Sequence, residues 1–270
     1  MKLKTLLVVV ALLALASSIA YYTGRPAKPA SVDARLNQPL AAGNLLEQAS
    51  SLKITENGKT VSLAKGTGGT WSVSEYYGFP ADFEKLARLA GDLTAAKLER
   101  LVTQNPERIK SFNFGGAKLV FSDAAGKELT SIDLGKNAEG GGRLIRYGTE
   151  EKAYLSRLNA FLDTEPKNWA DSTLVSLKSE EIARVEVSFG DGSAPVVASR
   201  AKKEDPFAAA DAPAGERLRT ARIDSLLTTV TALRFSDTSD PTDANAVAAK
   251  AQARTVSLTT FDGKTVTLQI

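Results

Sequence analysis

Two tripeptides, Gly58-Lys59-Thr60 and Gly263-Lys264-Thr265, carry the closing residues of a phosphate-binding loop, where backbone N–H groups and a lysine cradle phosphate oxygens. That loop needs a further glycine five positions earlier, and Lys53 and Leu258 stand there. Both tripeptides therefore read as hairpin turns. Ser62-Leu63-Ala64-Lys65 has the spacing of a serine nucleophile and its lysine base, a pair that opens a helix in penicillin-interacting enzymes. Here the spacing falls on an alternating strand pattern, where residues three apart point to opposite faces. Asp237, Asp240 and Asp243 offer clustered oxygens to Ca²⁺, but the run lacks the central glycine and closing glutamate of a calcium loop and reads as a solvated connection. Gly140–Gly142 reads as a flexible turn. Trp71 and Trp169 have the faces to stack on sugars, yet each stands in apolar surroundings that suit a core residue. The 31 acidic residues supply carboxylate pairs for glycoside cleavage anywhere on the surface, and nothing marks one pair above another.

The chain has no histidine and no cysteine. The first absence removes the commonest general base and metal ligand. The second removes disulfides, thiolate metal sites and a lipidated N-terminal cysteine. No catalytic, cofactor-binding or metal-ligating residue is assigned from the sequence, and no cofactor is expected. Lys plus Arg number 34 against 31 Asp plus Glu, and setting aside Lys2 and Lys4 leaves a net charge of +1. A near-neutral body gives nucleic acid little to bind, since that affinity comes from many cations meeting phosphates.

The elements that must position any site form two passes of one pattern. Leu86, Leu89, Leu93, Thr94 and Ala95 align with Ile223, Leu226, Val230, Thr231 and Ala232, 137 positions on. The same offset carries Gly126-Lys127 onto Gly263-Lys264, and Leu119, Phe121 and Leu129 onto Val256, Leu258 and Val266. One offset shared by a helix pattern and a later hairpin pattern indicates a duplicated supersecondary unit. In the first pass Leu52–Ile54 and Val61–Leu63 alternate about Asn57-Gly58, a strong hairpin signal, and Trp71–Val73 gives a third strand. Asp82 opens a helix with Phe83, Leu86, Leu89, Ala90, Leu93 and Leu101 as its apolar stripe. Strands over 118–122, 128–134, 143–147 and 152–156 follow. The second pass has strands at Val185–Val187 and Val196-Val197, a long loop over 200–217, and a helix capped by Thr220 that runs to Phe235. An acidic loop and a hairpin about Asp262-Gly263 complete it. Nothing after Ile270 matches Arg143–Ser156: either the second unit is shorter, or the chain is cut before its natural end. The fold class expected is α+β, a tandem repeat of an antiparallel-sheet-plus-helix unit behind one N-terminal transmembrane helix.

Leu3 to Ala20 is apolar apart from Thr5, Ser17 and Ser18, with Lys2 and Lys4 before it and Tyr21-Tyr22 after it. About 20 such residues span a hydrocarbon core, lysines favour the cytoplasmic side, and tyrosines favour the interface. Residues 1–22 thus read as a membrane anchor, with a cleaved signal peptide ending at Ser18-Ile19-Ala20 as the competing reading. Residues 23–44, with Pro26, Pro29 and Pro39, read as an extended tether. Residues 45–178 form the first α+β unit, and 179–270 a second, incomplete one.

Trp71-Ser-Val73, Phe79-Pro80-Ala81-Asp82 leading into Leu86…Leu93, and Leu101-Val102-Thr103 resemble a stretch of the domain-of-unknown-function 4340 family. Leu134-Gly135-Lys136, Arg146-Tyr147, Ala153-Tyr154-Leu155 and Glu165-Pro166…Trp169…Leu174…Leu177…Ile182 extend the resemblance, which is good over 45–190 and looser beyond. The resemblance implies one membrane anchor, an extracytoplasmic body and genes placed beside ABC-type transporters of the gliding-motility kind. No catalytic residue carries over from the family. The function expected is a non-enzymatic accessory or scaffold module of an ABC-type transporter complex. It would pass once through a bacterial cytoplasmic membrane by residues 3–22, with its C-terminal body on the periplasmic side. The alternative is a periplasmic binding protein or hydrolase acting on envelope glycan or peptide.

Overall fold

The computed structural model describes residues 33–209 and 218–270, together with residues 13–15 and 17–18, which are helical and exposed. The rest of the expected anchor, tether residues 23–32 and loop residues 210–217 lie outside the described residues. Among the described residues no helix is long and apolar enough to cross a membrane.

Helices and antiparallel sheets alternate as an α+β chain. The first sheet contains β1 (Ser51–Glu56), β2 (Lys59–Lys65), β3 (Trp71–Val73), β4 (Phe79–Pro80), β5 (Leu98–Thr103), β6 (Ala117–Ser122), β7 (Glu128–Asn137), β8 (Arg143–Tyr147) and β9 (Ala153–Ser156). Its hydrogen-bonded order is β4-β3-β2-β1-β6-β7-β8-β9-β5. The second contains β10 (Ile182–Ser188), β11 (Val196–Ser199), β12 (Ala208–Ala209), β13 (Thr255–Thr260) and β14 (Thr265–Gln269), in the order β12-β11-β10-β13-β14. The helices are α1 (Leu45–Gln48), α2 (Phe83–Ala95), α3 (Pro106–Lys110), α4 (Thr220–Val230) and α5 (Ala244–Ala251). The described residues fall into two compact units, one within the spans 1–45, 90–118 and 130–160 and the other within the spans 46–89, 119–129 and 161–270.

In the first unit, β7, β8 and β9 pair so that Ile132, Leu134, Ile145 and Tyr154 share one buried face. Leu144, Ala153 and Leu155 point the other way and pack under Ile109, Phe112 and Phe114. Those three come from α3 and the loop after it. Asn105 caps α3 by accepting from the N–H groups of Glu107 and Arg108, and Pro106 sits where a missing N–H costs nothing. Leu101, expected on the stripe of α2, instead lies on β5: α2 ends at Ala95, and Leu101 pairs with Tyr154 of β9. The folded body also begins earlier than its proline content suggests. Asn37 N–H donates to Leu98 O (2.8 Å), Leu98 N–H to Gln38 O (3.1 Å) and Leu40 N–H to Ala96 O (3.0 Å), so residues 37–40 cover the start of the edge strand β5. Leu40 and Ala41 are buried.

The second unit holds both hairpins that the sequence marked. Asn57 (φ 51°) and Gly58 (φ 80°) take the left-handed pair of dihedrals that a two-residue hairpin turn requires, and Glu56 pairs with Lys59 across it. Leu52, Ile54, Val61 and Leu63 are fully buried on one face of that hairpin. Asp82 Oδ1 accepts from Lys85 N–H (3.0 Å), as an N-cap should. Helix α4 departs from expectation at both ends. Thr220 is its first helical residue rather than its cap, and the helix stops at Val230. Beyond it Leu233 O accepts from the N–H groups of Leu174 and Val175, and Phe235 N–H donates to Ser172 O. Those backbone groups pair across the unit and cannot also continue a helix. Ile223, Leu227 and Val230 close the second sheet's core with Ile182, Val185, Ala198, Phe207, Val256 and Leu258.

Candidate functional site

The densest polar network of the first unit lies where the described body begins. Asp33 accepts from Lys152 Nζ (2.8 Å), Tyr154 Oη (3.0 Å) and the N–H of Arg35 (3.0 Å). Its side chain is only 8% exposed. The Lys152 bond, then the Arg35 N–H, hold its carboxyl below the usual aspartate range against the opposing effect of burial. Arg35 pairs with Glu150 and lies over the Tyr147 ring, 4.4 Å from its centroid. Tyr147 Oη donates to Leu40 O (2.9 Å). Burial pushes the Tyr147 hydroxyl up to about 12, and burial with the Asp33 bond pushes Tyr154 higher still. Lys152 and Tyr154 stand 119 and 121 positions from Asp33, so no local pattern in the sequence announces this lock.

The other networks are closed in the same way. Asp133 accepts from Arg146 through Nε (3.0 Å) and Nη2 (2.6 Å), and the guanidinium also covers the Phe114 ring at 5.0 Å. In the second unit Lys85 Nζ lies 4.5 Å over the Trp169 ring and donates to Asp163 Oδ2 (2.8 Å) and Asn168 O (2.9 Å). Burial is the largest single influence on the Asp163 carboxyl and raises it, but the bonds from Lys85 and the Glu165 N–H, with the Lys85 charge, together outweigh it and the net displacement is downward. Tyr76 Oη donates to Asp237 Oδ1 (2.9 Å), within an aromatic group completed by Phe79 and Phe235. Every charged member of these networks has a partner, so the groups fix one another's positions.

The spacings that could do chemistry fall where their turns and strands put them. Gly58-Lys59 and Gly263-Lys264 lie at the β1–β2 and β13–β14 turns. Ser62 and Lys65 lie on β2, but the Lys65 ammonium donates to Leu46 O (3.2 Å) and Glu47 O (3.4 Å) rather than to the serine. Trp71 and Trp169 are buried at 2% and 1% exposure, so neither presents a face to a sugar. Asp237 serves Tyr76 and Lys167, Asp240 holds Thr242, and Asp243 caps α5. These three carboxylates therefore do not converge on an ion. Among the described residues no group of three or more acidic side chains is placed to hold a metal. Gly140, Gly141 and Gly142 all have φ near +90°, a run only glycine adopts easily.

Open clefts among the described residues include two of moderate size. One, of about 440 Å³ in the first unit, has Asp92, Lys97, Glu99 and Arg157 in its wall, with Arg157 paired to Glu99 at 2.9 Å. The other, of about 580 Å³ in the second unit, lies between the β2–β3 and β6–β7 turns and is lined in part by Ser50, Ser51, Lys65, Thr67 and Asp123.

The architecture is thus a mixed α+β body with antiparallel sheets. The chain belongs to the family described as Domain of unknown function (DUF4340), whose model matches residues 71–252. That span runs from Trp71 of β3 past α5 and ends before the β13–β14 hairpin. No curated protein and no solved structure matches the chain.

Proposed function

We propose that this protein is a membrane-anchored extracytoplasmic accessory or scaffold module without catalytic activity, associated with an ABC-type transporter complex in a bacterial cytoplasmic membrane. The observation that carries the reading is the run Leu3–Ala20 between Lys2, Lys4 and Tyr21-Tyr22, on a chain that belongs to the family above. The closed polar networks fit a part that works through its surfaces. The body is read as a duplication, with residues 45–178 and 179–270 as its two copies. The strand order β3-β2-β1-β6-β7 has its counterpart in β12-β11-β10-β13-β14, and α2 and α4 fall at the same place in each pass. That correspondence, with the offset of 137 between Leu89 and Leu226, supports the duplication.

The cysteine-free chain makes the topology directly testable. Ser193→Cys places one thiol on the exposed 190–193 turn. In intact spheroplasts a membrane-impermeant maleimide should label it fully, and the labelled protein should stay with carbonate-washed membranes. Labelling that appears only after lysis would contradict the extracytoplasmic placement. A second reading, a binding protein for envelope glycan, is favoured by one feature, the cleft beside Lys65.

A further inference from the structure

We infer that the cleft beside Lys65 binds a small anionic polyol, a ligand that carries one oxyanion among hydroxyl groups. This goes beyond the accessory reading and stands or falls separately from it. The cleft's volume of about 580 Å³ lies within the range of small-ligand sites. Among the described residues Lys65 is the one cation in its lining and Asp123 the one carboxylate.

The charge at Lys65 is uncompensated. Its ammonium is half-buried and donates to two backbone carbonyls, Leu46 O and Glu47 O, which leaves one of its three protons. Among the described residues no carboxylate pairs with it. The Trp71 ring, 5.8 Å away, is the nearest aromatic partner. A partly desolvated ammonium without a counter-ion is costly, and an oxyanion in the cleft would offset that cost. The 440 Å³ cleft of the first unit lacks this property, because its Arg157 already meets Glu99 and its Lys97 is exposed to water.

The rest of the lining suits hydroxyl groups. The hydroxyls of Ser50, Ser51 and Thr67 make no hydrogen bond to other described residues, and each can donate and accept. Asp123 Oδ1 holds the N–H groups of Ala125 and Lys127 (2.9 Å each), which fixes the β6–β7 turn and leaves Oδ2 to accept from a ligand hydroxyl. The facing turn is fixed too: Gly69 N–H donates to Gly66 O and Gly66 N–H to Thr70 O, both at 2.9 Å. Gly69 sits at φ +80°, and a Cβ there or at Gly68 would meet only open space. Two rigid turns, a free ammonium proton and three unused hydroxyls thus surround one open volume.

Isothermal titration of the full-length protein in detergent micelles tests the site with three probes: glucuronate, glucose 6-phosphate and glucose. The two acids separate a carboxylate source from a phosphate source, and glucose reports the hydroxyl contribution alone. Saturable binding of at least one acid is expected, with glucose at least about tenfold weaker. Lys65→Gln should weaken the acid roughly tenfold to a hundredfold, while Lys65→Arg retains it. Thr67→Val, on the exposed turn, should weaken it several-fold and keeps the test open if Lys65→Gln fails to fold. Absence of saturable binding by either acid overturns the inference. So does binding unchanged by Lys65→Gln in a folded protein, or glucose binding as tightly as the acids.

Discussion

Replacing Asp33 by alanine should release the segment 33–41 from the first unit while leaving the remainder folded. Asp33 is the shared acceptor of Lys152 Nζ, Tyr154 Oη and Arg35 N–H. Lys152 is 42% exposed and returns to water at little cost, so its pairing adds about 0.5–1 kcal/mol. Tyr154 is fully buried, and its hydroxyl would lose its acceptor, at about 1–3 kcal/mol. Together the loss is about 1.5–4 kcal/mol, which increases the open population roughly 10- to 700-fold. Hydrogen exchange with mass spectrometry reads this directly. The amides of Asn37, Leu40 and Ala41 donate to Leu98 O, Ala96 O and Leu93 O and should exchange faster by that factor. Amides of β10 and β13 should not change. Acceleration below about threefold, or equal acceleration in both sheets, would refute the reasoning. Adding Tyr154→Phe should recover part of the loss, because the stranded hydroxyl is then gone.

Three more outcomes follow from the same geometry. Gly135→Ala should destabilise the first unit by about 1–3 kcal/mol in urea unfolding, because its Cβ would meet Phe112 O at 2.8 Å and Phe114 Cε1 at 2.9 Å. Ser156→Ala should raise stability by about 1 kcal/mol in the same assay: the hydroxyl is fully buried and has no hydrogen-bond partner. Thermal melting against pH should decline at both extremes. The lowered carboxyls of Asp33 and Asp163 stabilise above the unfolded aspartate value of 3.8, and that contribution disappears as pH falls through their folded values. The raised hydroxyls of Tyr147 and Tyr154 stabilise below the unfolded value of 10.0, and theirs is lost as pH rises towards 12. A flat profile between pH 9 and 12 would contradict the burial of the two hydroxyls.

Local patterns announced much of the fold, and long-range pairings announced little. Asn57-Gly58 marked its hairpin because its two dihedrals are rare for other residues, and Leu86, Leu89 and Leu93 marked a helix by their spacing. Leu101 misled because it continues that spacing, while its partner Tyr154 lies 53 positions on and no local period reports it. The caps of α3 at Asn105 and of α5 at Asp243 were not read: the first helix is only five residues long, and the acidic run around Asp243 read as loop. The two polar features of most interest were illegible. The Asp33 lock joins residues more than 100 positions apart. The cleft beside Lys65 gathers a hydroxyl from one turn, a carboxylate from another and two hydroxyls from the start of β1, and its lysine stood out in the sequence only through a spacing that led to the wrong chemistry.

The accessory reading is tested most directly by purifying the full-length protein from its own membranes in mild detergent and identifying what accompanies it. The account predicts ABC-type transporter subunits in fixed proportion to this chain, retained after crosslinking and high-salt washing. A protein that emerges alone from repeated and crosslinked preparations would contradict it.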